Sequence, residues 1–334
     1  MNRTYFINYI ISAIFSVVLF SCNSVESPYP SAVWEAKNNF PTGLSSASGC
    51  SANGKGYVFF GRTSMSKDTA YYANNCYEYN PTTDKWKEKT PCPGFRRVKG
   101  IAVEMGGKIY AGLGYRGVDN NMFDENNYLK DFWLYDPATD EWTQKKDFPN
   151  AQTSAASAFV NNGKIYVVGG FWGTSFDSRL WQYNPATDEW TEKCTFPAPK
   201  RAAGITVLSE NQIFYGTGFQ LYSWNDWWQY IPESDTWEEV KRMPDTGRTT
   251  AVGLSCNGRF FVATGRHFRG SKTGGHLKAD LIEYDAKQNN WYNRGDMPTK
   301  GRENAVAFTI DGKGYIGLGE TDDELLYDLW SFEP

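Results

Sequence analysis

The chain alternates between short apolar segments and polar turns, and one arrangement of apolar and polar positions recurs along it. An aromatic or aliphatic residue, one further residue and a tyrosine precede a short polar turn, which a tryptophan follows. The five copies end at Trp86, Trp142, Trp190, Trp237 and Trp291, with spacings of 56, 48, 47 and 54 residues. A fixed period near 50 residues is typical of repeat architectures, and short strands with regular turns predict an all-β fold.

A second recurring segment raises the number of repeats to six. A small polar turn leads into an aromatic-rich strand that ends in glycine, at residues 54–61, 107–114, 163–170, 211–218, 258–265 and 312–319. The sixth repeat lacks its own fourth strand, whereas residues 34–41 match that strand as it occurs at 142–149. We therefore predict that an N-terminal strand completes the last sheet, because a closed ring has no exposed edge strands.

These segments resemble the kelch repeat over residues 31–334. The resemblance implies an all-β, six-bladed kelch-type β-propeller that an N-terminal strand closes in the last blade. The glycine doublet of the repeat occurs only at Gly169-Gly170, and the other copies keep a single glycine. The chain is similar to the kelch group that contains the galactose oxidase central domain and the N-acetylneuraminate epimerases. We expect the recurring tryptophans and tyrosines to pack between blades.

The sequence pattern of residues 1–22 predicts an export signal. Arg3 is followed by an apolar run over residues 5–20, which is shorter than the about 20 residues that a membrane-spanning helix needs. Residues 19–22 read Leu-Phe-Ser-Cys and resemble a bacterial lipobox, which implies that Cys22 carries lipid. The alternative is an ordinary secretory signal with an incidental cysteine. We expect residues 23–30 to form a tether to the membrane. The expected location is a bacterial cell envelope, with the protein anchored in the outer membrane and facing the periplasm or the cell surface.

Charge and cysteine content narrow the range of partners. The net charge of −4 argues against nucleic acid as a partner, since phosphate binding needs a cationic surface. The cysteines beyond Cys22 show no metal-ligand spacing, and we interpret them as packing residues or as one disulfide at most. They are Cys50, Cys76, Cys92, Cys194 and Cys256. No phosphate-binding loop, metalloprotease motif or calcium loop occurs in the sequence, so we expect no cofactor and no metal.

The long connections of the predicted propeller share one face. In a four-stranded meander, the turns between the first and second strands and between the third and fourth strands lie on the opposite face. Those turns are short, as at residues 161–163 and 80–84, and leave little room for a site. The remaining connections are long, as at residues 114–129 and 265–279. Binding residues concentrate on such loops, so we expect function on this long-loop face, at the mouth of the central channel.

Four arginines occupy one equivalent position on that face, each four residues after a proline: Arg97, Arg201, Arg248 and Arg302. We expect their side chains to point toward the channel mouth, where guanidinium groups suit carboxylate or phosphate ligands. The resemblance to kelch proteins that bind acidic peptides implies the same role. The alternative is that these arginines pair with carboxylates or carbonyls of the protein itself.

Residues on the connections between second and third strands are further candidate ligand contacts. They are Arg266, Trp172 and Trp224. An aromatic plane can cover the apolar face of a sugar or peptide while polar groups orient it. With the four arginines, they predict a site for an anionic ligand.

Two functions follow from these residues. The first is a binding module for an anionic glycan or peptide, without a catalytic residue. The alternative is an N-acetylneuraminate mutarotase or epimerase, which needs a general acid or base near the anomeric carbon. The resemblance places the acid of that group next to Gly218, where this chain has Phe219, so Glu320 is the fallback acid and Arg302 the carboxylate clamp.

A copper oxidase like galactose oxidase is rejected. The resemblance would require two histidines and two tyrosines from separate loops. The two histidines of this chain, His267 and His276, lie in one loop.

Overall fold

The computed structural model describes residues 28–66, 71–117, 121, 123–150, 153–268 and 275–334. The predicted export signal and Cys22 therefore lie outside the described residues. The described residues form β-strands, with a 3-10 turn at Glu125–Asn127. Within these ranges, no helix has the length and apolar character to cross a membrane.

Six four-stranded antiparallel sheets form the blades of a propeller, as the repeat pattern predicts. Blade 1 contains β2 (Ser48–Ala52), β3 (Lys55–Phe59), β4 (Cys76–Asn80) and β5 (Lys85–Lys89). Blade 2 contains β6 (Ile101–Met105), β7 (Lys108–Tyr115), β8 (Tyr128–Asp136) and β9 (Glu141–Lys145). Blade 3 contains β10 (Ser157–Asn161), β11 (Lys164–Val168), β14 (Arg179–Asn184) and β15 (Glu189–Thr195). Its long loop carries the short hairpin of β12 (Phe171–Trp172) and β13 (Ser175–Phe176).

The remaining blades follow the same order. Blade 4 contains β16 (Ile205–Ser209), β17 (Gln212–Gly216), β18 (Trp227–Ile231) and β19 (Thr236–Val240). Blade 5 contains β20 (Val252–Cys256), β21 (Arg259–Ala263), β22 (Asp280–Asp285) and β23 (Asn290–Asp296). Blade 6 contains β24 (Val306–Ile310), β25 (Lys313–Gly317), β26 (Leu329–Glu333) and, outermost, β1 (Val33–Lys37). The N-terminal strand therefore completes the last blade, and this prediction is confirmed.

A polar clamp between blades explains the recurring tyrosine. Tyr183 is fully buried, and its hydroxyl donates to Asp188 at 2.6 Å. The same Asp188 oxygen accepts the backbone N–H of Lys146, which belongs to the link that follows the preceding blade, at 2.9 Å. Equivalent pairs join Tyr79 to Asp84, Tyr135 to Asp140, Tyr230 to Asp235 and Tyr284 to Asn289. Each acceptor residue has positive φ, which Asp and Asn tolerate better than most residues.

The recurring tryptophans pack against the neighbouring blade. The rings of Phe132 in blade 2 and Trp190 in blade 3 lie 5.1 Å apart, and Trp190 donates to the carbonyl of Lys146 at 3.0 Å. Six clusters of buried apolar residues of this kind form the core between successive blades. The five described cysteines are free thiols within or beside these clusters, which agrees with their interpretation as packing residues.

The four equivalent arginines are buried inside the blades, and the prediction that they point toward the channel mouth is wrong. Their exposed fraction is 0% in each case. Each guanidinium forms a two-point ion pair with an aspartate at the start of the third strand, with N–O distances of 2.5 to 2.8 Å. The pairs are Arg97–Asp131, Arg201–Asp226, Arg248–Asp280 and Arg302–Asp328. Each arginine also donates to the carbonyl of a residue with positive φ that precedes the strand-two glycine.

The two blades without the arginine also lack the aspartate. Blade 1 has Leu44 and Asn75 at the two positions, and blade 3 has Thr153 and Arg179. Arg179 turns instead to Asp177, at 2.9 Å. Because burial of a lone charge is costly, the arginine and the aspartate occur together or not at all. This pattern supports a structural role for the four arginines.

The Arg302–Asp328 ion pair shifts the titration of its carboxylate. Burial acts to raise the pKa of Asp328, but the hydrogen bonds and positive charge of Arg302 outweigh it and hold that pKa below its ordinary value. A depressed carboxylate pKa contributes stability at pH values above the unfolded-state pKa of about 4. That contribution is lost as the pH falls through the lower, folded-state pKa.

We expect Arg201→Ala to lower the free energy of unfolding by about 3–5 kcal/mol, because it leaves Asp226 buried without a partner. The Asp226 side chain is 3% exposed. Urea unfolding followed by tryptophan fluorescence measures the change. Arg242→Ala is the matched control, since Arg242 pairs with Glu239 on the surface and such pairs contribute about 1 kcal/mol or less. Equal stability of the two variants would contradict the structural role.

Candidate functional site

A closed ring of backbone hydrogen bonds forms the throat of the channel on the long-loop face. Each ring residue stands two positions after the arginine or its equivalent: Ser46, Lys99, Ala155, Ala203, Thr250 and Asn304. The N–H of each donates to the carbonyl of the ring residue in the preceding blade, at 2.8 to 3.3 Å, and the N–H of Ser46 closes the circle onto Asn304. All six have φ between 52° and 56°. We call these residues the throat ring.

A second ring lies just above the throat. It contains the residue that follows each strand-two glycine: Arg62, Tyr115, Phe171, Phe219, Arg266 and Glu320. Each forms a β-bridge with the residue immediately before the throat ring. Blades 5, 6 and 1 contribute charged side chains to this mouth ring, and blades 2, 3 and 4 contribute aromatic ones. The channel mouth therefore has a polar half and an aromatic half.

Two carboxylates organise the polar half. Glu320 is 6% exposed; it accepts hydrogen bonds from Arg62 and, at 2.7 Å, from the Asn304 amide. Glu303 accepts from Arg266 at 2.8 Å and from the Thr250 hydroxyl at 2.9 Å. Arg266 also pairs with Asp322 at 2.6 Å, and these contacts raise its pKa although burial acts to lower it. The arginines and glutamates of the mouth therefore neutralise each other.

Lys99 is the exception to this charge balance. Its backbone is part of the throat ring, and its half-buried side chain lines the mouth. Within the described parts of the chain, its ammonium group has no carboxylate or hydrogen-bond partner. A cation of this kind favours an anionic ligand, because a charge-assisted hydrogen bond is stronger than a neutral one.

Two adjoining cavities occupy the mouth. The first has a volume of about 290 Å³ and is bounded by Arg62, Glu320, Asn304 and several tyrosines. The second has a volume of about 490 Å³ and is bounded by Arg266, Glu303, Phe171, Phe176, Phe219 and Phe268. Both cavities are lined by Lys99 and Phe171. Concave sites of about 300–1,000 Å³ with mostly apolar walls and a few convergent polar groups suit small ligands.

The other predicted site residues are distributed around this mouth. Arg266 and Glu320 belong to the mouth ring. Trp172 is half-buried in the hairpin beside Phe171, and Trp224 is half-buried with its ring 5.3 Å from the Arg201 guanidinium. Neither tryptophan lines the two mouth cavities.

Lys99 and Glu303 were missed by the sequence reasoning. Both stand next to the conspicuous arginine column, two residues after Arg97 and one residue after Arg302. In the other blades, the position of Lys99 is occupied by Ser, Ala, Thr or Asn. The position of Glu303 is occupied there by small or apolar residues. A charged residue in an otherwise small and neutral column was the signal.

The histidines do not form a metal site with other residues of the described chain. Their rings lie 5.4 Å apart, and His267 is buried against Thr246 and the carbonyl of Gly247. No group of three or more potential metal ligands occurs in residues 28–66, 71–117, 121, 123–150, 153–268 and 275–334.

Comparison with known sequences finds similarity to kelch proteins. A family model described as the KLHDC2/KLHL20/DRC7 Kelch-repeats domain matches residues 122–265. An N-acetylneuraminate epimerase from Pasteurella multocida is 29% identical over 133 residues, which cover 40% of this chain and 32% of that protein. Kelch repeat and BTB domain-containing protein 12 from Danio rerio is 32% identical over 151 residues, which cover 42% of this chain and 24% of that protein. The matched segments thus span a third or less of these relatives.

A solved structure has the same fold over nearly its whole length. The structure of YjhT superposes with a TM-score of 0.73 at 16% sequence identity, covering 88% of this chain and 96% of that chain. These similarities agree with the six blades and the N-terminal closing strand of the structure. The chain is a six-bladed β-propeller of the kelch type, and it resembles the N-acetylneuraminate epimerase group of kelch proteins.

Proposed function

We propose that this protein binds an anionic saccharide at the channel mouth on its long-loop face. The observation that carries the proposal is the Lys99 ammonium, which lines both mouth cavities without an ionic partner among the described residues. It replaces the arginine ring as the expected contact for a ligand carboxylate.

The division of the mouth into two halves supports a sugar as the guest. A pyranose has apolar C–H faces and a rim of hydroxyl groups. The rings of Phe171, Phe176 and Phe219 can cover such a face. The carboxylates of Glu303 and Glu320 can accept hydrogen bonds from the hydroxyl groups. The similarity to an N-acetylneuraminate epimerase favours a sugar over a peptide.

We expect Lys99→Met to weaken binding of an acidic monosaccharide by about tenfold or more, because a hydrogen bond to a charged group contributes about 1.5–3 kcal/mol. Titration calorimetry with N-acetylneuraminate and with galacturonate measures the change. Lys164→Met is the matched control, since Lys164 is half-buried at a short turn on the opposite face. An acidic-peptide array run beside the sugars tests the other guest. Unchanged sugar affinity in Lys99→Met, or binding of peptides alone, would overturn the proposal.

A second candidate function is mutarotation or epimerisation of an N-acetylneuraminate-like sugar. Two observations favour it: the similarity to the epimerase, and the presence of two carboxylates in the mouth. Mutarotation transfers the proton of the anomeric hydroxyl to a base while an acid protonates the ring oxygen and the ring C–O bond breaks. Closure of the open chain on the other face of the carbonyl reverses these transfers. Glu320 and Glu303 are the groups of this chain that could carry the protons.

We expect Glu320→Gln or Glu303→Gln to reduce catalysed anomer equilibration by about 10²–10⁴-fold, the usual contribution of a general acid or base. Proton NMR of freshly dissolved N-acetylneuraminate measures the rate. Glu210→Gln on the opposite face is the control, because Glu210 lies in the exposed turn between β16 and β17. Absence of acceleration by the wild-type protein would remove this candidate and leave the binding proposal intact.

We also propose attachment to the membrane of a bacterial cell envelope through lipid on Cys22, which lies outside the described residues. The path of the chain supports a defined orientation. The β1 strand begins at Val33, opposite Glu333, on the short-turn face. Just before it, Tyr29 donates to Asp285 at 2.9 Å and its ring covers the Arg259 guanidinium at 4.9 Å. An anchor at Cys22 would therefore leave the channel mouth facing away from the membrane.

We expect Cys22→Ser to move the protein from the membrane fraction to the soluble fraction and to abolish labelling by a palmitate analogue. A Cys50→Ser variant is the control, since Cys50 lies in β2 of blade 1. Membrane association that persists without Cys22 would contradict lipid attachment at this residue.

A further inference from the structure

A third cavity lies on the rim of blade 2, outside the mouth. Its volume is about 480 Å³, and its walls include Phe95, Arg116, Asn126, Tyr128, Lys130 and Trp133. We call it the rim groove. Apart from Tyr128, which also borders the smaller mouth cavity, its residues play no part in the binding or proton transfer described above.

The rim groove contains an exposed aromatic ring in a fixed orientation. Phe95 is 57% exposed. The Arg116 guanidinium lies 4.6 Å from the centre of its ring, and the Arg116 Nε donates to the carbonyl of Asn126 at 2.9 Å. A cation over one face holds the ring while the remaining surface stays open to a ligand. Such a platform suits the C–H face of a sugar ring.

The rim groove also carries a positive charge that the described residues do not neutralise. Arg116 is half-buried and forms no ion pair with a described carboxylate. The other cation of the groove, Lys130, has Asp147 at 3.7 Å. Asp131, which also lines the groove, is engaged by Arg97. Arg116 therefore resembles Lys99 in the mouth, because neither has an ionic partner among the described residues. An acidic ligand group would pair with either cation.

The rim groove and the mouth are neighbours. Tyr128 lines the groove and the smaller mouth cavity, so one side chain forms a wall of each. Tyr115 of the mouth ring and Arg116 of the groove are consecutive residues, with Cα atoms about 3.8 Å apart. A ligand that extends outward from the mouth across blade 2 meets Arg116 and Phe95 next.

We propose that the rim groove is a second sugar subsite and that the ligand is an acidic oligosaccharide. Its terminal unit lies in the mouth beside Lys99, and its next unit stacks on Phe95 with a carboxylate on Arg116. This inference rests on the proposed binding function. It specifies in addition that the ligand has at least two sugar units and carries an acidic group on each of them.

The test compares acidic monosaccharides with the corresponding dimers. The probes are galacturonate and its α1,4-linked dimer, and N-acetylneuraminate and its α2,8-linked dimer. For at least one pair, we expect the wild-type protein to bind the dimer about tenfold or more tightly than the monomer, as a second charged contact implies. Phe95→Ala and Arg116→Ala remove that gain and leave the monomer affinity unchanged. Tyr327→Ala, an exposed aromatic on blade 6 of the same face, is the control and changes neither affinity.

The outcomes separate the two proposals. Monomer binding without a gain for either dimer overturns the second subsite and leaves the mouth site standing. A dimer gain that survives in both Phe95→Ala and Arg116→Ala also overturns it, because the second unit then lies elsewhere. If no acidic sugar binds, both proposals fail together. The thermal unfolding midpoint of each variant is compared with that of the wild-type protein. Equal midpoints verify that a loss of affinity reflects the removed contact and not a loss of folding.

Discussion

Six backbone hydrogen bonds around the channel throat hold the blades at a common radius. Five of them join residues 47 to 56 positions apart, and the sixth joins Ser46 to Asn304. Each donor residue has a positive φ that aims its N–H at the preceding blade. None of the six residues is glycine, so the ring forms against a small conformational preference. Closure compensates for that preference, because all six bonds form together. The inner strands, the mouth ring and the cavities are all positioned by this circle.

The residue positions around the throat differ in how much their side chains vary from blade to blade. The buried arginine–aspartate pairs occur in four blades and vanish as pairs in the other two, so they belong to the framework. The mouth ring uses the same backbone position in every blade, yet its side chains change from aromatic to charged around the circle. The fold constrains the backbone there and leaves the side chain free. A six-fold scaffold thereby presents an asymmetric site in which the Lys99 ammonium group has no ionic partner among the described residues.

Local sequence patterns were sufficient for the fold and misleading for the site. The period of the tryptophans, the six glycine-terminated strands and the N-terminal match to the fourth strand led to the correct six blades and closure. The arginine column alone resembles a binding ring, whereas the aspartates at the start of the third strand reveal its internal partners. Asp131, Asp226, Asp280 and Asp328 stand at one repeat position, and Asn75 and Arg179 replace them where the arginine is absent. The repeats themselves therefore contained the information that the arginines are internal.

The sequence by itself determined the number of blades, their strand order and the face that carries the long loops, because these depend on periodicity and on turn chemistry within each repeat. Only the tertiary structure decided which side chains meet at the mouth. Arg62 and Glu320 are 258 residues apart along the chain, and Lys99 and Phe171 come from different blades. Their proximity arises from closure of the ring, which no local pattern encodes. Whether a charge lies buried in a pair or open to a ligand depends on the same long-range contacts.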